Sequence, residues 1–311
     1  MKRFTTPVIL MLILAVLLPA CSPASVPQPT ATVAMLTVTD GLGRVLTLDL
    51  APQRVISLAP SNTEILYAVG AGSLMVGRDD FSNYPEEVVS LPSVGGSMGD
   101  YNLEQITSLQ PDLVLAAEIN TPEQVKALED IGIQVYYLSN PTDLEGVFQN
   151  LLIVGELTGR QSQAAELAAS LRARVETVQQ KLAGISERPM VFYELDGSEP
   201  AKPWTAGKGT FMDLLIQLAG GENIGASMES SWGQLSLEAL LLANPDVILL
   251  GDAAYGVTVE QVAARAGWEV IKAVQNQQIV PFNDDMASRP GPRLVDGLEI
   301  LARILHPQVF E

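Results

Sequence analysis

The chain is poor in the residues that build covalent and metal chemistry. It has one cysteine, Cys21, one histidine, His306, and only 5% aromatic residues among its 311. A single cysteine excludes an internal disulfide framework. A single histidine, set beside Pro307, excludes a zinc or manganese centre built from two or three imidazoles. For a resident metal, only a tyrosine-based ferric site through Tyr136, Tyr137, Tyr193 or Tyr255 stays open, and no metal or cofactor is otherwise expected. Basic residues are scarce as well: 18 Lys and Arg stand against 36 Asp and Glu, for a net charge of −18. Nucleic acid is excluded as a partner, because binding phosphates requires a basic surface. The acidity suits solubility, and an acidic face can also meet a basic partner. Long apolar runs are absent too, since the uncharged stretch Val8 to Leu18 is too short to span a bilayer.

That stretch follows Lys2 and Arg3, which makes it a secretory signal. Leu18-Pro19-Ala20-Cys21 resembles a bacterial lipobox apart from Pro19, with Cys21 where the lipidated thiol would stand. The plainer reading is a signal peptide with an incidental cysteine, but diacylation gives a lone exported thiol a purpose. Residues 22–35, SPASVPQPTATVAM, are rich in Pro, Ser, Thr and Ala and carry no charge, a flexible tether. Removing residues 1–21 takes Lys2 and Arg3 away and leaves a net charge of −20. The expected location is extracytoplasmic and lipid-anchored, on the periplasmic or outer face of the membrane, as a monomer.

Beyond the tether the strongest signal is an internal copy. Residues 97–115, SMGDYNLEQITSLQPDLVL, recur 134 positions later as residues 231–249, SWGQLSLEALLLANPDVIL, with seven of nineteen positions identical. In each copy a polar N-cap, Asn102 or Ser236, opens a short helix with Glu104 or Glu238 in its first turn. Each helix stops before Pro-Asp, and an apolar strand follows. Two lobes built alike are therefore expected.

The order of elements along the chain supports this. A hairpin over 36–48 precedes strands at 54–58, 75–77, 113–116 and 135–138, with Ala59–Asn62 as a turn into a helix over 63–69. Strands at 191–194, 247–250 and 279–282 and helices at 210–218 and 293–305 repeat the plan. Alternating β and α segments give mostly parallel sheets in two Rossmann-like α/β lobes. Between them Ala164, Leu167, Ala168, Leu171, Val175, Val178 and Leu182 keep helical spacing, so one long helix joins the lobes and restrains their motion. The expected divisions are an N-terminal lobe over 36–145, a connecting helical segment over 146–186 and a C-terminal lobe over 187–311.

Two short motifs are decoys. Gly95-Gly96-Ser97-Met98-Gly99 fits the G-x-S-x-G of a serine hydrolase, yet Pro92 interrupts the strand that such an elbow needs, and Ser97 recurs as Ser231 within the repeat. An exported hydrolase using Ser97 is kept as the alternative activity. Ala206-Gly207-Lys208-Gly209-Thr210 lacks the first glycine and the Ser/Thr of a P-loop and reads as a turn feeding a helix. What remains is a cleft between the lobes. Met98 and Trp232 occupy equivalent repeat positions ahead of helix N-termini, where loops at strand ends face that cleft. Trp232 would add about 0.5–1.5 kcal/mol of stacking there, or would pack in the lobe core. Trp204, in a glycine-flanked loop, and Arg289, in SRPGPR, are further candidates for holding a ligand, Arg289 as an anchor for anionic or amide groups.

The blocks RVISLAPSNTEILYAVGAG at 54–72, VGRDDFSNYPEE at 76–87, NLEQITSLQPDLVLA at 102–116, PWTAGKGTFMDLL at 203–215, GGENI at 220–224 and SRPGPRLVDGLE at 288–299 resemble the cobalamin and ferric-siderophore substrate-binding lipoproteins of ABC importers. The resemblance covers the chain beyond the tether. It implies the class III periplasmic-binding-protein fold and a metal chelate, ferric siderophore or cobalamin, held between the lobes. It implies delivery to a permease dimer with its ATPase, without catalysis. It assigns ligand contacts to Ser61, Phe81, Trp204, Trp232, Asp284 and Arg289, and docking onto permease arginines to Glu104 and Glu238. Acids in a first helical turn also meet the helix dipole, worth ~0.3–1 kcal/mol without any partner. Cobalamin-binding members carry a tryptophan near positions 97 and 98, which this chain lacks, so siderophore, haem or another chelate stays open. A sensor lipoprotein that keeps the fold without a transporter is the remaining alternative.

Overall fold

The computed structural model describes residues 36–96, 99 and 101–310; the leader, the tether with Cys21, and Ser97 and Met98 lie outside the described residues. The first lobe contains β1 (Leu36–Thr39), β2 (Val45–Leu48), β3 (Val55–Ser57), α1 (Pro60–Ala68), β4 (Met75–Arg78), α2 (Leu103–Ser108), β5 (Leu113–Ala116), α3 (Pro122–Asp130), β6 (Val135–Tyr137) and α4 (Leu144–Leu157). Helix α5 (Gln161–Leu182) leads into the second lobe. That lobe contains β7 (Met190–Glu194), β8 (Trp204–Ala206), α6 (Phe211–Leu218), β9 (Glu222–Asn223), β10 (Trp232–Gln234), α7 (Leu237–Ala243), β11 (Val247–Leu250), α8 (Val259–Ala263), α9 (Lys272–Gln275), β12 (Ile279–Pro281), α10 (Asp285–Ser288), α11 (Leu294–Leu305) and α12 (Pro307–Phe310).

Each lobe is an α/β unit on a four-stranded, all-parallel sheet, ordered β4-β3-β5-β6 in the first and β12-β11-β7-β9 in the second. The central strands β3, β5, β7 and β11 are short, mostly apolar and buried on both faces, as parallel strands covered by helices must be. Successive side chains point to opposite faces. Val55, Leu113 and Leu115 therefore enter one apolar cluster, while Ile56, Val114 and Ala116 enter another on the far side of the sheet. The second lobe repeats the division, with Val191, Tyr193 and Leu249 on the first side and Phe192, Ile248 and Leu250 on the other.

The cluster holding Val55 and Leu115 also holds Val191 and Leu249, and it runs through Ala164, Ala168, Leu171 and Val178 of α5. Both lobes thus share one continuous core with the connecting helix as its spine. At ~1.5 Å per residue the 22 residues of α5 reach about 33 Å. The segment between the lobes holds two helices rather than one: α4 ends at Leu157, and Gly159, at φ 69°, turns the chain into α5. The two pack closely because Gly155 has no side chain; a Cβ there would stand 2.4 Å from that of Ala164.

The 59–62 segment is not a turn ahead of the helix, because α1 begins at Pro60. Proline suits the first helical position, where its missing N–H has no partner to lose and its φ is already helical. Ser61 consequently sits in the first turn of α1. The β8–β10 ribbon, antiparallel with Trp232 opposite Ala206 and Gln234 opposite Trp204, was not expected from the sequence. Its strands are three residues long and carry no periodic signal, and they pair only because the lobe brings them together.

Candidate functional site

The C-terminal ends of both parallel sheets open onto a shared cleft of about 450 Å³. Loops after strands are the usual place for ligands in open α/β sheets, because backbone groups there are not consumed by the ladder. From the first lobe come Ser61 at the head of α1, Glu118 and Ile119 after β5, and Asn140 and Thr142 after β6. The second lobe contributes Thr210 and Phe211 at the head of α6, Trp232 of β10, Ser288 at the end of α10 and Pro290 between α10 and α11.

Of the candidates, Ser61 and Trp232 line the cleft itself. Trp232 keeps 43% of its surface exposed although it belongs to a strand, so it is not a core residue. Trp204 lies diagonally across the same ribbon and is similarly exposed, but it does not line the cleft. The third tryptophan, Trp268, is fully buried, with Phe192 edge-on at 6.1 Å and the Arg265 guanidinium 4.6 Å above its ring. Phe81 is half exposed and is presented by a polar knot beneath it. There the buried Asp79 accepts the Phe81 amide at 3.0 Å and the Ser82 hydroxyl. Ser82 pairs with Thr63 at 2.7 Å, and Thr63 donates to Ser57 at 2.8 Å. Burial pushes the Asp79 carboxyl above its ordinary value, with the Ser82 hydroxyl and the Phe81 amide pulling the other way.

Arg289 is not a free anchor. Its guanidinium donates to Asn83 Oδ1 at 2.8 Å and to Glu64 Oε1 at 3.2 Å, both in the first lobe, and pairs with Asp285 at 2.8 Å. Arg293 reaches the same Glu64, with Nε 2.9 Å from Oε2, and lies 4.1 Å above the ring of Tyr84. Asp284, half buried, accepts the hydroxyl of the fully buried Tyr193. Burial first, and the Asp284 charge second, raise that phenol far above its usual value.

The repeat is also visible as geometry. Asn102 accepts the Gln105 amide at 2.9 Å and Ser236 the Ala239 amide at 3.2 Å, so both cap their helices. Glu104 and Glu238 stand in the first turns of α2 and α7 and are exposed. Both helices end on a left-handed residue before the proline, Gln110 at φ 48° and Asn244 at φ 47°. The repeated aspartates have a structural task that was not read from the sequence. Asp112 accepts the amides of Gln53 and Arg54 at 2.8 and 2.9 Å, and Asp246 that of Met190 at 2.9 Å. Each clamps the start of the neighbouring strand, β3 or β7.

No group of three or more His, Cys, Asp or Glu side chains placed to hold a metal ion occurs among the described residues. The tyrosines considered for iron are scattered: Tyr136 donates to Thr39 O at 3.0 Å, Tyr193 is committed to Asp284, and Tyr255 stands 87% exposed. The P-loop look-alike is a turn into a helix, where Thr210 accepts the Asp213 amide at 3.1 Å as the N-cap of α6. His306 is buried with Nε2 3.3 Å from Gly220 O. The main site residue missed in the sequence is Glu118. Its position just after the apolar strand β5 is the one signal that could have found it.

A family model described as periplasmic binding protein matches residues 55–285. The chain is 34% identical over 281 residues to the uncharacterized ABC transporter substrate-binding lipoprotein YvrC of Bacillus subtilis, covering 89% of this chain and 87% of that one. Among solved structures it resembles the periplasmic vitamin B12 binding protein BtuF of Vibrio cholerae at 30% identity, with a TM-score of 0.70 over 83% of this chain and 98% of that one. It also resembles the periplasmic heme-binding protein RhuT of Roseiflexus at 28% identity, with a TM-score of 0.73 over 83% and 99%.

Proposed function

Because the chain belongs to the periplasmic binding protein family, we propose that it is the extracytoplasmic solute-binding component of an ABC importer that captures a metal chelate between its lobes and hands it to a permease. The observation that carries this reading is the cleft of about 450 Å³ walled by strand-end loops of both lobes, a volume suited to enclosing much of a small ligand. The named properties of the relatives, substrate-binding lipoprotein, vitamin B12 binding and heme binding, fit such a cargo.

In this reading Trp232 covers a flat face of the chelate, and Ser61 and the neighbouring hydroxyls and amides take its polar edge. Outside this lining, Phe81, Met98, Trp204, Asp284 and Arg289 are assigned to a surrounding shell, Arg289 by holding Phe81 and Asn83 in place. Glu104 and Glu238, exposed on equivalent helices, dock onto basic residues of a two-subunit permease, whose ATPase drives release. The protein acts as a monomer and is held at the membrane through a lipid on Cys21 and the tether of residues 22–35. It performs no covalent chemistry, and neither the hydrolase nor the sensor alternative gains support from the cleft.

A tryptophan-fluorescence titration with cyanocobalamin, cobinamide, haem and ferric siderophores tests the proposal. Saturable quenching by one of them is expected, since Trp232 lines the cleft. Absence of binding by all four would overturn it.

A further inference from the structure

The charge of the cargo is written into the cleft. Resting on the reading that this cleft is the cargo site, we infer that it selects chelates with a neutral or cationic face and rejects anionic ones, and that Glu118 is the residue responsible.

Among the described residues lining the cleft, Glu118 is the only charged one. It is exposed and stands two residues beyond the end of β5, held there by a rigid strand. The remaining polar groups are hydroxyls and an amide: Ser61, Asn140, Thr142, Thr210, Ser231 and Ser288. The cation nearest in role, Arg289, is already shared among Asn83, Glu64 and Asp285. Arg293 is likewise spent on Glu64 and the Tyr84 ring. Lys208 precedes the lining residue Gly209 but does not itself line the cleft. A carboxylate or catecholate entering here would lose its water and meet Glu118 with no cation among the described lining residues to compensate, which costs more than burying a neutral amide that finds a hydroxyl or Asn140. The chain's net charge of −18 adds a long-range bias in the same direction.

The two solved neighbours diverge at this point. Heme carries two propionate carboxylates that require partners, whereas a corrinoid presents amides around a neutral or cationic cobalt centre. The lining of this cleft suits the second.

The experiment is fluorescence titration of the purified full chain with four probes: cyanocobalamin, neutral; diaquocobinamide, cationic; haemin, with two carboxylates; and a ferric tris-catecholate, trianionic. Both corrinoids should bind at least ~10-fold more tightly than either anion, a ratio equivalent to about 1.4 kcal/mol. Glu118→Gln should weaken diaquocobinamide more than cyanocobalamin, and Glu118→Lys should shift the ratio toward the anions by ~10-fold or more while the melting temperature stays unchanged. If haemin or the tris-catecholate binds the unaltered chain as tightly as the corrinoids, or if Glu118→Lys leaves the ratio where it was, the inference is overturned while the solute-binding reading stands. If no probe binds, the reading of the cleft as a cargo site fails, and the charge rule with it.

Discussion

Glu64 in α1 and Arg293 at the start of α11, 229 positions apart, form a buried forked ion pair between the two lobes, with Arg293 Nε 2.9 Å from Glu64 Oε2 and Nη2 bonded to Oε1. Arg289 adds a third contact at 3.2 Å. Together with the core shared along α5, this braces the lobes at two places. Such a brace favours a preformed cleft, and small lobe motion on ligand binding is the expected outcome.

Breaking one side of that pair leaves a buried charge without its partner, and the cost of such a change is typically ~3–5 kcal/mol. Glu64→Ala should therefore lower unfolding stability by about that amount in urea. Glu64→Gln with Arg293→Met should recover much of it, because both charges are then gone. A cost below ~1 kcal/mol for Glu64→Ala would mean that the brace is ornamental.

Asp79 gives the stability a pH dependence of defined sign. Its folded-state carboxyl titrates above the ordinary 3.8, so the native protein keeps a proton that the unfolded chain has released. The stabilisation is present below 3.8 and declines as pH rises from there through the raised folded value. Between pH 3.5 and 7 the unfolding free energy should fall relative to that of Asp79→Asn, while carboxylates held below their ordinary values, Glu145 and Glu299 among them, contribute with the opposite sign in both proteins. Identical slopes in both proteins would rule the aspartate out as its source.

Trp232 is the large aromatic surface in the cleft. Trp232→Ala should weaken chelate binding by ~10- to 100-fold, about 1.4–3 kcal/mol. Most of the fluorescence quenching should vanish with it, because Trp268 is buried away from the cleft in its own apolar cluster. Retained quenching in the variant would shift the ligand toward Trp204.

The exposed pair Glu104 and Glu238 should matter to transport and not to binding. The double variant Glu104→Ala with Glu238→Ala is expected to keep ligand affinity within about twofold while uptake by cells carrying the permease is lost. Normal uptake would refute docking through these residues.

The two left-handed residues that end α2 and α7 should respond differently to glycine. Gln110→Gly relieves a strained backbone and should raise stability by about 0.5–1 kcal/mol. Asn244→Gly should gain less, since asparagine tolerates the left-handed region better. Thermal unfolding of the two variants provides the comparison.

Much of the architecture could be read from residue order. The repeat, the apolar strands and the spacing from Ala164 to Leu182 determined two similar α/β lobes and a helical spine. The reason is that strand and helix periodicities are local, and duplication preserves them. The N-caps Asn102 and Ser236 were legible for the same reason, as caps act within three residues. Local chemistry also identified Ala206–Thr210 as a turn into a helix.

What the tertiary structure decided was which residues meet. The β8–β10 ribbon that presents Trp232, the clamps of Asp112 and Asp246 on neighbouring strands, and the placing of Glu118 in the cleft depend on contacts between distant segments. Arg289 shows the difference most sharply. By sequence it is a cation between serine and proline, available to an anionic ligand. In the fold Glu64 and Asn83 arrive from the other lobe and consume it. Charge type and helix register are fixed by the residues themselves, but whether a charge is free or spent depends on a partner more than 200 positions away, and only folding brings that partner within 3 Å or so.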